Sequence, residues 1–129
     1  MAELTITGDV FNSAEITDIL LINPTKYWGK GDVKPHSAGY REYTLWKFDT
    51  DYIESLNIET QTTVILNLFK PKIQILKSLA ESKKLEYGCS IVIKIRNNQV
   101  PSMTFNQDFI NFIYEIGAVV DIDLYILEQ

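Results

Sequence analysis

One cysteine and one histidine stand among 129 residues. A single thiol forbids an internal disulfide, and a chain of this length buries enough surface to fold without one. Cys89 and His36 also fall short of the four nitrogen or sulfur ligands of a structural zinc site. No stretch approaches the roughly 20 apolar residues of a membrane-spanning helix. The start, MAELTITGD, has neither the basic head nor the apolar core of a secretion signal. We therefore expect one α+β domain over residues 1–129 in a reducing cytoplasm, with no membrane contact, no metal and no cofactor.

Basic residues are also scarce where they would matter for nucleic acid. None follows Arg96, while Asp108, Glu115, Asp121, Asp123 and Glu128 do. The net charge of −5 disfavours phosphate backbones, whose affinity comes from neutralised charge. One segment runs the other way. Residues 26–47 hold Lys26, Lys30, Lys34, Arg41 and Lys47 against Asp32 and Glu42, a net of +3.

What is present is strong hydrophobic patterning. Residues 3–8 alternate with period two, the mark of a half-buried strand. Asn12 and Glu15 have the spacing of a capping box, and Ile16, Ile19 and Leu20 form the inward stripe of a helix that Pro24 should end. A long loop follows to about Tyr40. REYTLWKFD (41–49) reads as a second strand, with Thr44, Trp46 and Phe48 on one side and Tyr43, Leu45 and Lys47 on the other. Residues 59–82 carry helical spacing and should kink or restart at Pro71. CSIVIKIR (89–96) is the clearest strand, followed by an NNQ turn and a short hairpin partner over 100–105. Asn106 should cap a final helix that Gly117 ends, and VVDIDLYI (119–126) is the last strand.

VFNSAEITDILLI (10–22) and TFNQDFINFIYEI (104–116) align at a constant offset. Phe11, Asn12, Ile16, Ile19 and Ile22 fall on Phe105, Asn106, Ile110, Ile113 and Ile116. Any two capped amphipathic helices share such a pattern, but a duplicated strand–helix unit also fits. Two such units predict a ferredoxin-like sandwich, an antiparallel sheet with helices packed on one face.

Two sets of residues are candidates for function. The first surrounds NPTKYWGKGD (23–32): Lys26, Tyr27, Trp28, Lys30, Asp32, Arg41 and Trp46. Aromatic and arginine side chains dominate protein-binding hot spots, and long loops in small domains are often functional. The competing reading makes the tryptophans core edges and the glycines turns. GKGD lacks the spacing of a P-loop or a dinucleotide fingerprint. The second set is the open sheet face, with Lys94, Arg96, Asp121 and Asp123. Its carboxylates could do acid–base work or hold a hard cation, or else form cross-strand ion pairs with Lys94 and Arg96. No catalytic residue is assigned. Cys89 lies on an apolar strand face and reads as inert core, and His36 as a solvated loop residue.

AEITDILLINPTKYWGKGD, the TLWKF strand, LFKPK and the ending GAVVDIDLYI together resemble a bacterial family known only as domain of unknown function 4279. The resemblance covers most of the chain. It implies a bacterial cytoplasmic protein and brings no activity or catalytic residue with it. The function expected from the residues is a non-enzymatic binding module, an immunity-like or regulatory partner of another bacterial protein. The alternative is a small-molecule-binding protein or enzyme using the open sheet face, with Trp46 beside Lys94, Arg96, Asp121 and Asp123. A homodimer is compatible with either.

Overall fold

The computed structural model describes residues 1–127. Five strands form one sheet in the order β2-β3-β1-β4-β5. The central strand β1 (Ala2–Gly8) pairs antiparallel with β3 (Thr44–Asp49) and with β4 (Glu86–Ile95). The short β2 (Lys26–Trp28) adds antiparallel to β3, and β5 (Val119–Ile126) lies parallel to β4.

The period-two pattern sorts the two faces as expected. Ala2, Leu4 and Ile6 of β1, Trp46 of β3, and Tyr87, Cys89, Ile91, Ile93 and Ile95 of β4 are all buried on one face. Helices α1 (Ser13–Leu20), α2 (Glu59–Phe69), α3 (Ile73–Lys83) and α4 (Gln107–Ile116) supply the rest of the core, including Ile16, Leu20, Phe69, Leu76, Phe109 and Phe112. The opposite face carries Glu3, Thr5, Lys47 and Asp49, and the Lys47 ammonium pairs with Glu3 across it at 3.3 Å. No helix among the described residues is long and apolar enough to cross a membrane.

Caps and turns explain the helix boundaries. The Asn12 carboxamide accepts from Ala14 N at 2.9 Å and Glu15 N at 3.3 Å. Only this half of the capping box forms, since the Glu15 carboxylate reaches Lys83 at 3.2 Å instead. Helix α1 ends at Leu21, whose left-handed φ of 59° breaks it before Pro24 can act. Around Pro71 a 3-10 turn over Lys70–Lys72 separates α2 from α3, the break that proline predicts. Asn106 accepts from Phe109 N at 2.9 Å, and Gly117 closes α4 with a φ of 67°.

Four expectations need correction. The sheet is mixed: the crossover through α4 returns β5 parallel to β4, so an all-antiparallel, ferredoxin-like sandwich is not confirmed. The α+β class with helices on one face stands. Residues 100–105 do not pair back onto β4; Ser102 makes one parallel bridge to Asn57 and the chain then enters the crossover. The long loop contains β2, which its three residues were too few to announce. The aligned helices are not equivalent. Ile16 is fully buried whereas its counterpart Ile110 is 49% exposed, and α4 joins neighbouring parallel strands while α1 joins two strands that run the same way on either side of β3.

Candidate functional site

The segment from β2 to β3 is a stitched hairpin. Register sets Lys26 opposite Lys47, Tyr27 opposite Trp46 and Trp28 opposite Leu45. Past Trp28 the ladder stops, and GKGD makes the turn. The Asp32 carboxylate accepts from Gly29 N at 2.8 Å, and Gly31 takes a φ of 91° that a side chain would strain. Backbone bonds then resume: Gly31 N to Arg41 O at 2.8 Å, Arg41 N to Asp32 O at 2.7 Å, and a Val33–Tyr40 bridge beyond them.

Two tethers fix this hairpin to the domain. Lys30 N donates to the Thr44 hydroxyl, which itself donates to Asp9 O, and the Lys30 ammonium pairs with Asp9. The second tether is Trp28. Its indole N–H donates to Tyr43 O at 3.0 Å, and its ring meets the Tyr43 ring at a centroid distance of 5.7 Å. The Arg41 guanidinium lies 3.7 Å from the Trp28 centroid and the Lys26 ammonium 5.3 Å, both at cation–π range.

Of the first set, the structure thus brings Lys26, Trp28 and Arg41 into one cluster, while Lys30 and Asp32 act as fasteners. Tyr27 lies opposite Trp46 in the register and so on the other face from Lys26 and Trp28, 66% exposed. Trp46 does not belong. It is fully buried on the opposite face, donates its indole N–H to the Thr17 hydroxyl at 3.1 Å and meets Phe69 edge-on. The even spacing that put Trp46 with Thr44 and Phe48 already placed it on the core side. Tyr40 and Val33 were passed over; they are exposed at the hairpin end, where loop sequence carries no periodicity to flag them.

The second set divides. Asp123 lies beside Val92 and Asp121 beside Ser90, so neither faces Lys94, whose neighbour on β5 is Tyr125. Arg96 has already left β4. The expected ion pairs are absent among the described residues. Lys94 instead sits 3.9 Å over the Tyr52 ring. With Arg96, Tyr52, Glu54 and Gln61 it lines an open cavity of about 660 Å³ under the segment 52–58. Trp46, Asp121 and Asp123 do not line it. The sequence offered no pattern over 50–58 from which this wall could be foreseen.

Burial pushes the Cys89 thiol up to about 12, as an inert core thiol should be, and raises the Tyr87 phenol to about 12. His36 is exposed on the hairpin loop. No group of three or more His, Cys, Asp or Glu side chains gathers to hold a metal among the described residues.

No curated protein and no solved structure matches this chain. A family model described as a domain of unknown function, DUF4279, matches residues 1–127, and the chain belongs to that family.

Proposed function

We propose that the protein is a non-enzymatic binding module, and that the hairpin of residues 26–43 grips another protein. The observation that carries this reading is the Lys26–Trp28–Arg41 cluster. It stiffens a hairpin that exposes Tyr27, Val33, Tyr40 and Tyr43 on its two sides. Rings held on a rigid hairpin lose little entropy on docking, and aromatic and arginine side chains are the usual anchors of interfaces. Lys30 and Lys47 are paired with Asp9 and Glu3, and the remaining cations of the segment, Lys26, Lys34 and Arg41, favour an acidic partner surface. An immunity-like or regulatory role in a bacterial cytoplasm fits such a module.

The test separates display from scaffolding. Tyr27→Ala/Tyr40→Ala removes two exposed rings and leaves the Trp28 tether in place. Affinity capture from host lysate should enrich a protein with wild type and lose it with this folded double variant. Equal capture by both would end the hairpin reading.

A second reading rests on the cavity beside Lys94 and Arg96. Its volume of about 660 Å³ lies within the usual range for small-ligand sites, and two cations against Glu54 favour an anion. A thermal-shift panel of carboxylates and phosphates would support this reading if one of them stabilises wild type and not Arg96→Ala. No shift with any of them would remove it.

A further inference from the structure

The two edges of the sheet are built differently. Strand β2 is three residues long and opens on Lys26, a blunt edge of the kind that resists further pairing. Strand β5 is eight residues long and has no proline, lysine or arginine. It is exposed along almost its whole length, with Val119, Ile122, Leu124, Tyr125 and Ile126 between 46% and 79% accessible. A long apolar edge left open is an invitation to pair with another strand.

The backbone says which groups are offered. Leu127 N donates to Ile95 O, so the odd-numbered residues of β5 turn their peptide groups toward β4. The even ones therefore direct N–H and C=O outward at Ile122, Leu124 and Ile126. Their side chains lie on the helix-side face, in register with Ile91, Ile93 and Ile95. The Lys77–Glu115 pair places α3 on one flank of α4, and Ile110 and Tyr114 are exposed on α4 away from that pair.

We infer that β5 pairs antiparallel with β5 of a second copy, in a register centred on Leu124, to make one continuous ten-stranded sheet. The carboxylates choose the register. Centring on Ile122 would set Asp121 opposite Asp123 twice over, and centring on Asp123 would oppose the two copies of that residue. Like charges directly opposite destabilise a ladder. Centring on Leu124 sets Leu124 on Leu124 and Ile122 on Ile126, and it places Asp123 opposite Tyr125. The aliphatic side chains of the ladder then meet one another, and no carboxylate faces another. A stable dimer buries roughly 800 Å² per partner, more than a five-residue ladder supplies, so contacts beyond the ladder must add to the interface.

The test is sedimentation of the full chain over a wide concentration range, combined with single cysteines. Wild type is expected to dimerise, and Leu124→Lys to sediment as a monomer with an unchanged circular dichroism spectrum. Opposed residues in a hydrogen-bonded antiparallel pair have Cα atoms about 5.5 Å apart, within disulfide reach. Under mild oxidation Leu124→Cys should therefore cross-link to a dimer, while Ile122→Cys and Asp123→Cys should not. The native thiol does not interfere, because Cys89 is buried. A wild type that stays monomeric throughout overturns the pairing, as does a dimer that survives Leu124→Lys. Cross-linking at 122 or 123 in place of 124 overturns the register and the charge argument behind it.

Discussion

Raising the pH should unfold this protein through two buried acids. Tyr87 donates its hydroxyl to Leu76 O at 2.6 Å, and Cys89 lies one rung away on the same face of β4. Both are nearly inaccessible, and burial raises their pKa values from 10.0 and 9.0 to about 12. Each group is neutral when protonated, so the fold favours the protonated form. The unfolded chain then releases these protons first, and stability falls as pH rises. The contribution is fully present below pH 9 and is lost progressively toward pH 12. At pH 11 the thiol should cost about 3 kcal/mol and the phenol about 1 kcal/mol, from roughly 1.4 kcal/mol per pH interval. That is a large part of the 5–15 kcal/mol typical of a domain. Urea melts at pH 8 and pH 11, followed by circular dichroism, would measure it. The informative quantity is the difference between wild type and Tyr87→Phe/Cys89→Ala, because every other group is common to the two proteins. Wild type should lose about 4 kcal/mol more than the variant over that span. Equal losses in the two proteins would refute the assignment of alkaline lability to these groups.

Three further perturbations probe the elements that position the candidate surfaces. Trp46→Ala should cost about 3–5 kcal/mol in a urea melt, because it empties the largest buried site and leaves the Thr17 hydroxyl without its donor. Gly88→Ala should destabilise by about 1 kcal/mol, since its new Cβ would sit 2.8 Å from the Thr5 hydroxyl, and the same change in a Thr5→Ala background should be neutral or better. A double-mutant cycle of Trp28→Ala and Arg41→Ala should return a coupling of about 1 kcal/mol by thermal melting, and zero coupling would mean that the stacked geometry contributes nothing.

Much of the fold was legible where burial and periodicity coincide. Strands β1, β3, β4 and β5 and helices α1 and α4 announced themselves through alternation, the Asn12 and Asn106 caps and Gly117. Pairing direction did not. Alternation fixes which face a residue occupies and is blind to whether the neighbouring strand runs up or down. β4 and β5 form a parallel pair only because residues 96–118 have room for a crossover helix, and the same spacing was open to a hairpin. The candidate site was half legible. Composition flagged Trp28, Lys26 and Arg41, yet their stacking depends on a register that no local pattern encodes. Trp46 was misplaced by composition alone, although its own strand pattern put it in the core.

The two proposed surfaces are compatible because they occupy opposite edges. The hairpin extends from β2, the blunt and basic edge, while β5, the long acidic-and-apolar edge, lies across the three intervening strands. A twofold through β5 would leave both hairpins at the far ends of a ten-stranded sheet, each free to engage a partner. Two copies of a weak site then act together on any target that presents its epitope twice, with a gain set by geometry rather than by new contacts. Leu124→Lys thus carries a consequence beyond self-association. It should weaken capture of a multivalent target while leaving affinity for a monovalent fragment of that target unchanged. Tyr27→Ala/Tyr40→Ala should weaken both. Measuring the two variants against both forms of a captured partner tests whether the edges are coupled. If Leu124→Lys binds the multivalent target as well as wild type does, the dimer adds no avidity, and the hairpin acts alone.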